Sequence, residues 1–258
     1  VTAGYAAADA RVRRTRGHVP RRHAALAFFA GSAVLLFALA GPLDAAVASS
    51  FSAHMVQHLL ITMVAAPLLL LGAPLTLALV AWPGAPRRAI LGAVRSRPVR
   101  LLTQPVVAWA LFFGVLWGVH LTGFYDAALG NAGIHALEHA LLLATALLFW
   151  MPIVGADPSP ATLSYPARIL YLFIAMPAMA FLGLVLVSAD EPLYATYARA
   201  EGAARAIADQ QVAGGIMWAG TMVLIVPALA LVLLDWMRAD EREARRADER
   251  LARAPGGA

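Results

Sequence analysis

The sequence predicts an all-α protein: a polytopic transmembrane bundle of six spans with both termini cytoplasmic. Three observations carry that prediction. Of the 258 residues, 61% are hydrophobic and 14% charged, with a mean hydropathy of +0.71, more apolar surface than a soluble domain can hide. Several apolar runs reach the ~20 residues that a helix needs to cross ~30 Å of hydrocarbon, and none alternates with the period of two that marks a transmembrane barrel. With six spans, 18 of the 20 basic residues fall on one side and only Arg199 and Arg205 on the other, which makes the arginine-rich side cytoplasmic.

The chain divides into a basic cytoplasmic arm (residues 1–23), a membrane domain (24–236) and a charged cytoplasmic tail (237–258). The arm carries Arg11, Arg13, Arg14, Arg16, Arg21 and Arg22. It has the charge of a signal-peptide start, but membrane sequence resumes almost at once, so residues 24–40 are read as a retained first span. His18 and His23 lie in or beside this arm and read as ordinary solvated residues. After a turn at Gly41 and Pro42, the stretch 51–79 is about 29 residues, ~43 Å if wholly helical and longer than one perpendicular crossing needs. Pro67, and then Gly72 and Pro74, predict a break in its second half. Span three covers 105–124, span four 132–154, span five 167–187 and span six 212–235. The longest connection, 188–211, precedes span six, and the tail reads as a solvated helix charged on nearly all faces.

Histidines concentrate in one layer of this topology. His54 and His58 stand at i and i+4, which on a helix places both imidazoles on one face. His135 and His139 repeat the spacing at the start of span four, with Glu138 between them. Spans two and four both begin outside, and span three ends there at His120, so five histidines from three helices meet near the outer surface. Ionisable groups at membrane depth are costly and mark function by default. That outer side carries seven acids (Asp44, Asp126, Glu138, Asp190, Glu191, Glu201 and Asp209) against two arginines, a balance that draws in cations. The formal net charge of +5 is therefore a topology signal and does not point to nucleic acid.

The chain has no cysteine, which leaves imidazole, carboxylate and thioether as candidate ligands. His54, His58, His120, His135 and His139 are the expected metal ligands. Met55, beside the first pair, adds a thioether that suits copper, while Asp126 and Glu138 are placed to orient second ring nitrogens or to ligate directly. Asp209 and Gln210, just before span six, are expected either to cap that helix or to roof the histidine cluster.

The segments His54-Met55-Val-Gln57-His58, Pro67 through Gly72 and Pro74, His135-x-x-Glu138-His139 with Phe149-Trp150, and Asp209-Gln210-Gln211-x-Ala-Gly214-Gly-x-Met217-Trp218 together resemble the CtaG-type cytochrome c oxidase assembly family. The resemblance covers residues 42–236. It implies a bacterial plasma-membrane factor, not an enzyme, that matures the copper-containing terminal oxidase by handling copper on the outer side. The implied partners are oxidase subunits or a soluble copper carrier. Members of that family commonly have seven spans where six are counted here, the difference falling at the N-terminal arm.

Two other classes compete with this reading. His135-x-x-Glu138-His139 matches the inverted zinc-protease pattern, with Glu138 as general base and both histidines on zinc. A haem-bearing electron carrier is the other, although histidines at i and i+4 of one helix cannot take opposite faces of one haem, so ligation would have to pair histidines across helices.

Overall fold

The computed structural model describes residues 2–16, 22–159 and 162–253; His18 and Arg21 lie outside them. Every regular element among the described residues is helical: α1 (Thr2–Arg16), α2 (Arg22–Ala40), α3 (Pro42–Val47), α4 (Phe51–Leu59), a π-helical segment (Leu60–Ala65), α5 (Ala66–Leu71), α6 (Pro74–Ala81), α7 (Ala85–Val94), α8 (Arg97–Leu102), α9 (Pro105–Leu121), α10 (Phe124–Gly130), α11 (Ala132–Val154), α12 (Tyr165–Ser188), α13 (Ala195–Glu201) and α14 (Ala203–Arg253). Five stretches are long and apolar enough to cross a membrane: Arg22–Val47, Phe51–Ala81, Ala132–Val154, Tyr165–Ser188 and Ala203–Arg250. A sixth is completed if α9 and α10, which meet at 69°, are taken as one bent span. The all-helical bundle thus has five candidate spans, or the expected six with the bent pair as its third member. Large apolar side chains such as Leu26, Phe37, Phe173, Val223 and Leu231 point outward from these helices, as a lipid-facing surface requires.

The second span is built in pieces, and the pieces explain each other. Behind His58 the hydrogen bonding slips from the α to the π register, with the Ala66 N–H donating to the Ile61 carbonyl. The next bond of that register would run from residue 67 to Thr62, and Pro67 has no N–H to give. The Thr62 carbonyl instead accepts from the indole Nε1 of Trp150 on α11 at 2.9 Å, so the bulge is stitched to the helix that carries the second histidine pair. The break expected at residues 72–74 is also present. Ala73 adopts a left-handed conformation (φ 47°), Pro74 opens α6, and the Asp157 carboxylate accepts from the backbone N–H groups of Leu75 and Thr76. At Gly72 a side chain is excluded, because an added Cβ would lie 2.6 Å from the Cβ of Phe28.

Two regions differ from the sequence reading. The basic arm forms helix α1, which buries Tyr5, Ala8 and Val12 against α6; the Tyr5 ring stacks on Phe28 at 3.8 Å and its hydroxyl donates to the Gly72 carbonyl. The helix that carries the sixth span begins at Ala203, ahead of residue 212, immediately after Gly202 (φ 84°) interrupts the chain. The helix extends because residues 206, 210 and 213 already present a buried face.

Helix α14 packs along α12 and against α4. The α12 contact is close because Gly183 and Gly214 face each other: a Cβ on Gly214 would lie 2.7 Å from the Gly183 carbonyl oxygen. Small residues that let two backbones approach are a standard means of joining helices in lipid. This crossing brings the start of α14 over the start of α4, at the end of the bundle where the histidines lie.

Candidate metal centre

Helix α4 brings His54 and His58 to the centre of the bundle, α11 brings His135, Glu138 and His139, and α9 ends with His120. All five expected histidines meet in one cluster, with ring centroids 4.3 Å apart for His54 and His58 and for His135 and His139, 5.0 Å for His54 and His135, and 5.4 Å for His58 and His120. Four of them are buried and His135 is half-buried at the rim. Glu138 stands among them at 0% exposure.

Ligand atoms of His54, His135, Glu138 and His139 all lie within 4.8 Å of one another. The two facing nitrogens, His54 Nε2 and His135 Nε2, are 3.3 Å apart. The Oε2 of Glu138 is 3.7 Å from His54 Nε2 and its Oε1 is 3.6 Å from His58 Nε2. These last two separations are too long for hydrogen bonds. Ligands at ~2.0–2.1 Å from one tetrahedral ion are about 3.3–3.4 Å apart, so the whole set is close to the spacing of a shared ion.

Polar satisfaction points the same way. Both ring nitrogens of His58, Nε2 of His120, Nε2 of His139 and both oxygens of Glu138 are buried and find no hydrogen-bonding partner among the described residues. Each such group costs roughly 1–3 kcal/mol, and a buried carboxylate more. Six orphaned atoms in one cluster would consume much of the roughly 5–15 kcal/mol that stabilises a folded domain. A cation bound among them would pair with those whose lone pairs converge, although no one ion can reach both ring nitrogens of His58. The donor set, nitrogen and oxygen without thiolate, fits copper or zinc.

The surrounding structure orients these rings. His120 Nδ1–H donates to the Leu116 carbonyl at 2.8 Å, which leaves Nε2 as the nitrogen with a free lone pair. The hydroxyl of Tyr125 is hydrogen-bonded to His54 Nδ1, so the Nε2 of that ring is the atom turned to Glu138 and His135. Tyr194 donates to the His120 carbonyl and Tyr197 to the Val47 carbonyl, and the three tyrosines pack with Phe51 over the cluster. Burial pushes the Tyr194 and Tyr197 hydroxyls well above the usual phenol range. Gln57, between the two histidines of α4, donates to the Ala38 carbonyl and to Asp44, anchoring α4 to the first span. None of these tyrosines was singled out by spacing, since their partners lie 71 to 150 positions away in the chain.

The accessory residues divide differently from the sequence reading. Glu138 is in the cluster. Met55 is buried in the adjoining apolar core. The Asp126 carboxylate accepts from the backbone N–H groups of Ala195 and Thr196 and so starts α13. Asp209 accepts from the backbone N–H groups of Phe51 and Ser52, capping α4 instead of its own helix. Gln210 accepts from the Leu193 N–H and donates to the Leu186 carbonyl, holding the connection that precedes α13. These three residues place the helices that carry or cover the ligands.

Residues 3–239 match the model of the family described as cytochrome c oxidase caa3 assembly factor. Uncharacterized proteins of Mycobacterium bovis and Mycobacterium tuberculosis are each 33% identical over 255 residues, and one of Mycobacterium leprae is 31% identical over 255 residues. Each comparison covers 95% of this chain and 38% of the relative, so the chain spans well under half the length of the curated relatives it matches. No solved structure matches the chain.

Proposed function

The chain belongs to the cytochrome c oxidase caa3 assembly factor family, and from that premise we propose that it binds copper in the histidine and glutamate cluster and delivers it to the oxidase on the extracytoplasmic side. It is a multi-span protein of the bacterial cytoplasmic membrane. The observation that carries the proposal is the spacing of His54, His135, Glu138 and His139, whose ligand atoms lie within 4.8 Å of one another, with Glu138 and His54 3.7 Å apart and too far for a hydrogen bond.

The arginine distribution supports an outward-facing cluster, which a donor or acceptor of copper can reach. His135, half-buried at the rim, is the point of entry and exit. An oxidase subunit or a soluble carrier docking on the loops before α11 and α14 would receive the ion by ligand exchange, and no covalent step is needed. Release requires moderate affinity, which neutral imidazoles supply better than a thiolate cage.

The zinc-protease alternative asks Glu138 to activate a water against a substrate. A carboxylate at 0% exposure, enclosed by imidazoles, gives a peptide no access, which disfavours that role. A haem is disfavoured by imidazole rings packed against one another at 4.3–5.8 Å between centroids. Metal analysis of protein purified without chelator, wild type against a His54→Ala/His139→Ala double variant, tests the proposal. The expected result is copper in the wild type, its loss in the variant and a fall in oxidase maturation. Zinc with peptidase activity, or no metal together with normal oxidase activity in the variant, would overturn it.

A further inference from the structure

Glu138 has two oxygens aimed at two different rings. Oε2 faces His54 Nε2 at 3.7 Å and Oε1 faces His58 Nε2 at 3.6 Å, and those imidazoles stand one helical turn apart on α4. One group of ligand atoms within 4.8 Å of one another joins His54 and Glu138 to His135 and His139. That group leaves His58 and His120 unused, although both are 2% exposed and each keeps a buried Nε2 without a protein partner. The bond from His120 Nδ1–H to Leu116 leaves Nε2 as the nitrogen with a free lone pair, and the ring lies 5.4 Å from that of His58.

We propose that the cluster holds two metal ions with Glu138 as the bridge: an outer ion on His54, His135 and Oε2, and an inner ion on His58, His120 and Oε1. The His139 ring packs against both His54 (5.8 Å) and His58 (5.5 Å) and keeps a buried Nε2 without a protein partner, so it is the ligand that would complete either position. The inference rests on the metal-binding reading of the same site and extends it by a second position.

Charge selects the ion. The ligands are imidazoles, neutral when they coordinate, and one carboxylate. Two divalent ions on one bridging carboxylate leave a formal +3 (2 + 2 − 1), whereas two monovalent ions leave +1 (1 + 1 − 1). In a low-dielectric interior like charges a few ångströms apart repel strongly, which favours the monovalent pair and therefore copper(I). The arrangement also gives transfer a direction. The rim ion on His135 exchanges with partners while the inner ion, sealed under the tyrosines, moves outward across Glu138 to replace it.

The test is copper(I) loading of the intact purified chain under reducing conditions, read as ions per chain and by X-ray absorption. Two ions per chain are expected, with metal–metal scattering at a separation below about 4 Å, as carboxylate-linked pairs show. His120→Ala and His135→Ala should each retain one ion and lose that scattering. One ion in the wild type would overturn the second position and leave copper binding intact, whereas no ion at all would overturn both. Two ions without metal–metal scattering would remove the bridge. The wild-type stoichiometry and scattering need no variant, so the outcome does not depend on either variant folding.

Discussion

The carboxylate of Asp209 accepts a hydrogen bond from the backbone N–H of Phe51 at 2.6 Å, across 158 positions of sequence. The last membrane helix thereby caps the helix that carries His54 and His58, and Ser50 and the Ser52 N–H complete the contact. A negative charge at that helix start satisfies otherwise free N–H groups and complements the helix dipole. Asp209→Ala should lower stability by about 1 kcal/mol, the usual cost of a lost cap, and weaken metal binding without changing the number of ions bound. Asp209→Asn, which keeps one acceptor oxygen, should recover part of the loss. Thermal unfolding in detergent beside metal titration checks this; loss of an ion at unchanged stability would make Asp209 a ligand instead.

Tyr125 touches no expected ion position and acts through His54. Its hydroxyl fixes the ring whose other nitrogen faces Glu138 and His135. Removing the outer partner of a metal-binding imidazole usually weakens binding by about 10- to 100-fold. Tyr125→Phe should show that fall in copper affinity in a competition titration while unfolding at nearly the wild-type temperature. An unchanged affinity would reduce the hydroxyl to packing.

Much of the site was legible in the sequence because its signal is local. Two His pairs at i and i+4, with Glu138 inside the second, announce themselves by spacing alone, and the break at residues 72–74 follows from Gly72 and Pro74. What was not legible depends on pairs that meet only in the folded chain. Nothing near Asp209 says that it caps α4, and nothing near Tyr125 says that it holds His54. The N-terminal arm is a different case: Tyr5, Ala8 and Val12 are spaced for one helical face, and the surrounding arginines masked a pattern that was there to be read.

The contact of α12 with α14 predicts opposite signs for two adjacent glycines. An added Cβ on Gly214 would meet the Gly183 carbonyl oxygen at 2.7 Å and side chains of Leu186 and Val187 below 3 Å, whereas one on Gly215 meets nothing within 4 Å. Gly214→Ala should destabilise by about 1–3 kcal/mol through overpacking. Gly215→Ala should stabilise by about 0.5–1 kcal/mol, since it stiffens a helix interior at no steric cost. Thermal unfolding of the two variants decides it, and equal effects would mean that the helices do not cross at Gly214.

Orientation rests on arginine placement and has a direct check. Cysteine introduced at Ala200, in α13 at the histidine end of the bundle, should react with an impermeant thiol reagent in intact cells, while cysteine at Ala244, on the charged tail, should react only after lysis. The chain has no native cysteine to confuse the result. The reverse pattern would put the histidines on the cytoplasmic side and end the case for delivery to an outward-facing oxidase subunit.

Metal removal should be visible in stability, because the cluster is a cost to the apo fold and a gain to the loaded one. Six buried polar atoms of the cluster lack partners among the described residues, and an ion that pairs with some of them binds the native state far better than the unfolded chain. At a free concentration 100 times the dissociation constant, such an ion adds about 2.7 kcal/mol to the native state. Copper should therefore raise the unfolding temperature of the wild type by several degrees, and a chelator should reverse the rise. The His54→Ala/His139→Ala variant should be insensitive to both. Its apo form is also expected to lose less stability than two buried large-to-small changes ordinarily cost, since it deletes one of the orphaned nitrogens and opens room for water around Glu138. A wild type whose unfolding temperature ignores copper would mean that the cluster is satisfied in some other way, and the copper reading would fall with it.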